Sequence, residues 1–220
     1  MSQRQIVVFG AGAQAREIVW LADDCTAAGE PTRVVAFIDD DPATHGALVG
    51  TIPIHGLDDA RRAFPDALMV IGIGSSRARE ALATRAAEAG FGFATLVHPR
   101  VERSASARIG EGSIVCAGCI ISVDVAIGRH VHLNLGCSIS HDAVIEDFAT
   151  LAPRVTLAGR VHVGRGAWLG VGATVSNGTE AAPMSIGANA IVGAGACVIR
   201  NVAEATTVAG VPAKALDNQH

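Results

Sequence analysis

Tyrosine is absent from this 220-residue chain, and aromatic residues make up only 4% of it. Its 50% hydrophobic content must therefore fill a core with Val, Ile, Leu and Ala rather than with rings. The five cysteines are odd in number and contain no CxxC spacing. That excludes a disulfide framework and a zinc ribbon, and leaves a reduced, cytoplasmic compartment as the expectation. Charge is sparse, at 17% charged residues and a net −4, with no basic block, so no nucleic-acid partner is expected. No apolar run approaches the ~20 residues of a membrane helix, and MSQRQIVVFG reads as a first strand rather than a signal peptide. No membrane partner is expected either. What the chain has in quantity is glycine, 25 residues, and enough length for one domain or two modest ones.

The two halves differ in grammar. Residues 1–97 alternate strands and helices, which predicts a small parallel sheet with crossover helices. IVVFG (6–10) is an apolar run entering a glycine turn, followed by the helix-like QAREIVWLADD. VVAFIDD (34–40) is a second strand ending in carboxylates, and ALMVIGIG (67–74) a third. SSRAREALATRAAEAG reads as a helix stopped at Gly90, and FATLV (93–97) as a fourth strand.

From residue 98 the chain becomes a repeat. Every sixth residue from Ile109 to Val175 is Ile, Leu or Val, and the residue two places before each is small or Val. The register breaks at SNGTEAAPMS (176–185) and resumes with Ile186, Val192 and Val198. Neither a helical nor a strand period explains this; a hexapeptide parallel β-helix does. Three hexapeptides make one triangular turn, so residues 18 apart stack in one column. The large aliphatic fills the prism and the small residue sits where its walls converge.

That geometry gives meaning to NLGCSISHDAVIED (134–147). His141 lies outside both inward columns, beside Asp142 and one coil below Gly159. Asp142 can orient the imidazole, Asn134 adds a polar group on the neighbouring face, and Gly159 offers a backbone N–H with no side chain in the way. A general base, a substrate anchor and an oxyanion donor within one coil are what acyl transfer to an amine or hydroxyl requires. A surface histidine at a corner is the plain alternative. The loop Gly10-Ala11-Gly12-Ala13-Gln14-Ala15 fits G-x-G-x-x-G/A between a strand and a helix. Fewer than 100 residues precede the repeat, room for one mononucleotide half, so a nucleotide-sugar pyrophosphate suits it better than NAD. Asp39 or Asp40 would then meet ribose or base, and Arg77 a phosphate; ordinary solvation explains each equally well.

VVFGAGAQAREI, AFIDD, VIGIGSSRAR, LVHP, NLGCSISHD, LAG (157–159), LGVGATV, IVGAGACVIRNV and VAGVPAK together resemble the PglD- and NeuD-type sugar acyltransferases along the whole chain. The resemblance implies an α/β half-Rossmann-like domain over residues 1–97 that holds the nucleotide sugar. It also implies a left-handed β-helix over residues 98–220, with active sites between the subunits of a homotrimer. It makes His141 the general base, Asp142 its acidic neighbour and the Gly159 N–H the acceptor of the thioester carbonyl. Acetyl-CoA, as co-substrate, would lie along the coils past Gly159, Val171, Gly193 and Ala194 to Lys214 in the VPAK tail. Gly10, Gly12, Gln14, Asp39, Asp40, Gly74, Arg77, Asn134 and Thr150 would line the substrate. The chain departs from the pattern at Thr150 and Gln14, where relatives carry histidine, and Asp142 is shorter than the usual Glu.

The reaction implied is acetyl transfer to a nucleotide-linked amino sugar for glycan or O-antigen synthesis. O-acetylation of sialic acid or a similar sugar, and a non-catalytic binding module, are the alternatives. No metal is expected, because His130, His132, His141 and His162 share no column. Cys119 and Cys137 read as core filler.

Overall fold

The computed structural model describes residues 3–216. Contacts divide it into two compact units, one ending at Pro99 and the other beginning at Arg100. The first contains β1 (Arg4–Phe9), α1 (Ala13–Ala27), β2 (Thr32–Ile38), β3 (Leu48–Val49), β4 (Ile52–His55), α2 (Leu57–Ala63), β5 (Leu68–Ile71) and α3 (Ser76–Glu88). The strands form one sheet in the order β3-β4-β2-β1-β5, parallel except for the β3-β4 pair. Consecutive residues of β1 and β5, among them Ile6, Val7, Val8, Met69 and Val70, are fully buried, so both faces of the sheet are covered. The helix α1 buries Ala15, Ile18, Leu21, Ala22 and Cys25, a stripe at helical spacing. The Ser75 side chain caps α3 by accepting the Ala78 N–H, and Gly90 leaves the helix at φ 82°.

Three expectations shift. The second strand spans 32–38 rather than 34–40. The third stops at Ile71, because Gly72 makes the last ladder bond to Phe9 and the chain then turns away. The segment 93–97 forms a single bridge from Phe93 to Met69 and a two-residue strand, Leu96–Val97, in place of one continuous strand. The β3-β4 hairpin and α2 were not anticipated; their apolar positions are too few to show a period.

The second unit is a triangular parallel β-helix. Face one stacks Glu102–Arg103, Ile120–Ile121, Ser138–Ile139, Thr156–Leu157, Thr174–Val175 and Cys197–Val198. Face two stacks Arg108–Ile109, Ala126–Ile127, Val144–Ile145, Val161–Val163 and Met184–Ile186. Face three carries Ile114–Val115, His132–Leu133, Thr150–Leu151, Trp168–Leu169, Ile191–Val192 and Thr207–Ala209, with Lys214–Ala215 added antiparallel. Ile121, Ile139, Leu157 and Val175 stack at intervals of 18, as the column rule requires. The small column, from Ala107 through Cys119 and Cys137 to Ala173, is buried throughout.

Along most of the prism a change of face is a two-residue corner whose second member has positive φ. From Gly112 to Gly172 this recurs every sixth residue, with φ between 54° and 74°. Glycine and short polar residues such as Asp124 and Asp142 tolerate that region best. The inserted segment 176–183 leaves the prism at the corner between faces one and two, and the register then resumes with 23-residue spacing, Val163 opposite Ile186. Among the described residues, no helix is long and apolar enough to cross a membrane.

Leu151 is 0% exposed and stacked between Leu133 and Leu169. Leu151→Ala removes buried methyl groups from a column that cannot collapse around the gap, and should cost about 2–5 kcal/mol in equilibrium urea unfolding.

Candidate active site

His141 and Asp142 form one corner between faces one and two. Gly159 and Arg160 form the same corner one coil above, where the Arg160 N–H donates to the His141 carbonyl (3.0 Å). The imidazole Nδ1 lies 2.8 Å from Asp142 Oδ2, so a proton on Nδ1 is held by the carboxylate and Nε2 keeps its lone pair. The ring covers Gly159: a Cβ there would sit 2.5 Å from both Cε1 and Nε2. Only glycine fits against the ring where it stands. Among the described residues, the Gly159 N–H meets no protein acceptor, while its carbonyl accepts from Gly178 (3.0 Å). A ring nitrogen and a glycine whose backbone donor is unused therefore share one corner.

Three partners were not anticipated. Arg160 Nη2 approaches Asp142 Oδ2 at 3.4 Å. Arg160 follows Asp142 by eighteen residues, so the column rule that joins His141 to Gly159 also leads to it. His162 Nε2 lies 2.7 Å from Glu146 Oε1, and Glu146 Oε2 accepts the Arg165 N–H at 2.8 Å, a second His-carboxylate pair on face two. The inserted loop contributes Thr179, Glu180 and Pro183 to a cleft of about 350 Å³ that also contains Asp142, Arg160 and His162. Its root is tied to this corner, since Met184 donates to the Arg160 carbonyl at 3.1 Å.

Other expected residues lie elsewhere. Asn134 ends a face-three strand, and its side-chain amide donates to the Leu151 carbonyl at 2.9 Å. It belongs with Val171, Gly193 and Ala194 along the corner between faces three and one, where Gly195 donates to the Val171 carbonyl. Thr150 is buried in face three, and Lys214 lies in the antiparallel strand at its end. Within one chain the His141 group and the expected cofactor group thus occupy two different edges of the prism. Phe148 stacks on His130 with centroids 5.0 Å apart and carries Arg165 on its ring at 4.7 Å, so it packs within its own corner column. Cys119 and Cys137 are buried free thiols directed at backbone carbonyls. Among the described residues, no three His, Cys, Asp or Glu side chains gather as a metal site would need.

In the α/β unit, β1 continues on one side to β2 while β5 lies on the other, so the crevice beyond their carboxyl ends is a topological switch point. Gly10 (φ 102°) abuts the loop after β5 there, and a Cβ on it would meet Ile73 Cδ1 at 2.8 Å. Gly12 is the N-cap of α1 with no side-chain cap, and Gln14 Oε1 lies 3.4 Å from where a Gly74 Cβ would stand. Gly10, Gly12, Gln14 and Gly74 are thus gathered. Asp39 and Asp40 line a neighbouring cleft with His45 and Arg85. Asp39 Oδ1 accepts the Asp41 N–H (2.9 Å), and both oxygens of Asp40 are held by Arg85 (2.7 and 2.9 Å). The hydrogen bonds from Arg85 keep the Asp40 carboxyl below its usual range. Arg77 is exposed in the first turn of α3.

An α/β unit joined to a hexapeptide β-helix that carries a His-Asp corner is the architecture of hexapeptide-repeat acyltransferases. Residues 5–86 match the PglD N-terminal domain family. GDP-perosamine N-acetyltransferase of Escherichia coli O157:H7 is 32% identical over 120 residues, 54% of each chain. UDP-N-acetylbacillosamine N-acetyltransferase of Bacillus subtilis (strain 168) is 37% identical over 116 residues, 52% of each. The crystal structure of a histidine-to-asparagine variant of perosamine N-acetyltransferase from Caulobacter crescentus, in complex with CoA and GDP-perosamine, matches with a TM-score of 0.85 and 34% identity over 99% of both chains. The chain spans about half the length of the curated relatives it matches, and nearly all of the crystallised one. It belongs to the PglD-type nucleotide-amino-sugar acetyltransferase family, and its β-helix is the left-handed one of that family.

The hydrogen bond from His141, with support from the charge of Arg160, keeps the Asp142 carboxyl below its usual range. A depressed carboxyl contributes stability above the ordinary carboxylate range and loses it as pH falls through the depressed value; both partners are well exposed, so the effect on folding is small. A ¹³C-detected carboxyl titration should find Asp142 below the ordinary range, and His141→Ala should return it upward.

Proposed function

We propose that this chain is an acetyl-CoA-dependent N-acetyltransferase acting on a nucleotide-linked amino sugar in bacterial glycan or O-antigen biosynthesis, as a cytoplasmic homotrimer. The observation that carries this reading is the corner itself: Nε2 of His141, oriented by Asp142, lies beside the N–H of Gly159. The CoA and GDP-perosamine held by the crystallised relative support the substrate class. The separation of the His141 corner from Asn134, Val171, Gly193 and Ala194 supports active sites completed between neighbouring prisms.

In the proposed reaction the neutral sugar amine attacks the thioester carbonyl. The new C–N bond forms as His141 Nε2 takes the amine proton, and the oxygen that gains charge is met by the Gly159 N–H. Collapse breaks the C–S bond, and the proton passes from His141 to the departing CoA thiolate. Asp142 holds Nδ1–H throughout and favours the imidazolium that forms.

Thiol release from acetyl-CoA, measured against a panel of GDP-, UDP- and dTDP-linked 3-amino and 4-amino sugars, tests this. Turnover is expected with an amino sugar. His141→Asn should lower kcat by roughly 10²–10⁴-fold with substrate binding retained. Gly159→Ala, whose methyl would collide with the ring, should lower kcat through displacement of His141. Release only with hydroxyl sugars would make the chain an O-acetyltransferase, and no release with any acceptor would leave a binding module.

A further inference from the structure

Arg79 is 0% exposed, the bulkiest side chain so deeply buried, and the proposed reaction makes no use of it. Its Nη1 donates to the carbonyls of Ile73 (2.8 Å) and Gly74 (3.3 Å), the peptides that lead from β5 to α3. Burial brings its pKa down to about 10, still well above neutrality, so the group is a cation held in the interior. In a trans peptide the N–H points opposite to the C=O. Among the described residues, only Val211–Pro212 is cis. Holding the two carbonyls against the buried guanidinium therefore turns the N–H groups of Gly74 and Ser75 the other way. Both residues are exposed, and among the described residues neither N–H meets a protein acceptor.

Two successive outward N–H groups make a concavity suited to an anionic oxygen. Gly74 is also the residue that approaches Gln14 of the first glycine loop, which places it at the switch-point crevice that the uncapped start of α1 borders. We infer that Arg79 is a positioning residue for nucleotide-sugar binding, which never touches the ligand but fixes the Gly74 and Ser75 N–H groups toward a phosphate oxygen. This inference rests on the nucleotide-sugar reading of the α/β unit.

The test uses the full chain, with GDP, UDP, dTDP and CoA as calorimetric probes and a cooperative thermal transition as the check on folding. Arg79→Met should weaken the nucleoside diphosphate that the unaltered chain binds by roughly ten- to a hundredfold, the loss of charge-assisted positioning, and leave the CoA affinity as it was. Arg79→Lys, a point charge without the planar fork, should recover part of the loss. Ser75 has φ −68°, which suits proline, so Ser75→Pro deletes one outward N–H while leaving Arg79 intact. Ser75→Ala loses the same helix cap but keeps the N–H and is the baseline; Ser75→Pro should bind nucleotide more weakly than it. A folded Arg79→Met with unchanged nucleotide affinity, or with equal losses for CoA and nucleotide, overturns the inference. Should Arg79→Met not fold, equal nucleotide binding by the two Ser75 variants overturns it instead. An unaltered chain that binds none of GDP, UDP and dTDP overturns the nucleotide reading beneath it.

Discussion

The coil-to-coil backbone ladder is the constraint on which the second unit depends. Between Glu102 and Val175 the short strands bond to those eighteen residues away, on three faces at once, so no coil can slip without misplacing its neighbours. With so few residues per face, register comes from the inward Ile, Leu and Val column, which must land on itself, and from the corners, which must adopt positive φ at a fixed interval. Side chains at a corner consequently stack by residue number. His141 lies against Gly159 for this reason, and Asp142 near Arg160 for the same one.

Chemistry enters where the repeat provides no bulk. A side chain at position 159 would occupy the volume of the His141 ring, so the glycine both admits the imidazole and leaves a backbone donor beside it. The inserted segment adds polar side chains to the cleft that holds Asp142 and Arg160 without disturbing the coils above, because the ladder resumes after a five-residue shift with the inward column unbroken. A β-helix can vary a corner cleft in this way at little structural cost: loops leave from corners, and the faces keep their pairing.

The α/β unit obeys another rule. Its crevice exists because β1 has partners reached in opposite directions, and two glycine-containing loops meet at their ends. Glycine permits the close approach, while a buried arginine holds the second loop in shape. Packing and loop shape are joined in that one side chain, as buried charge is tolerated only where acceptors surround it.

The hexapeptide register, the two inward columns and the pairing of His141 with Gly159 were legible in the amino-acid sequence alone, because a repeat with an eighteen-residue turn converts sequence distance directly into spatial neighbourhood. Strands β1, β2 and β5 were legible as apolar runs, within a few residues at their ends. The β3-β4 hairpin, α2, the contact of Arg85 with Asp40 and the inward turn of Arg79 were not. Each depends on elements far apart in the chain, with no period to relate them. Only the tertiary structure decided that Asn134, Val171 and Ala194 share one edge of the prism while His141 and the inserted loop share another. That division follows from the order of the three faces around the coil, which the repeat implies but which becomes visible only when the coils are stacked.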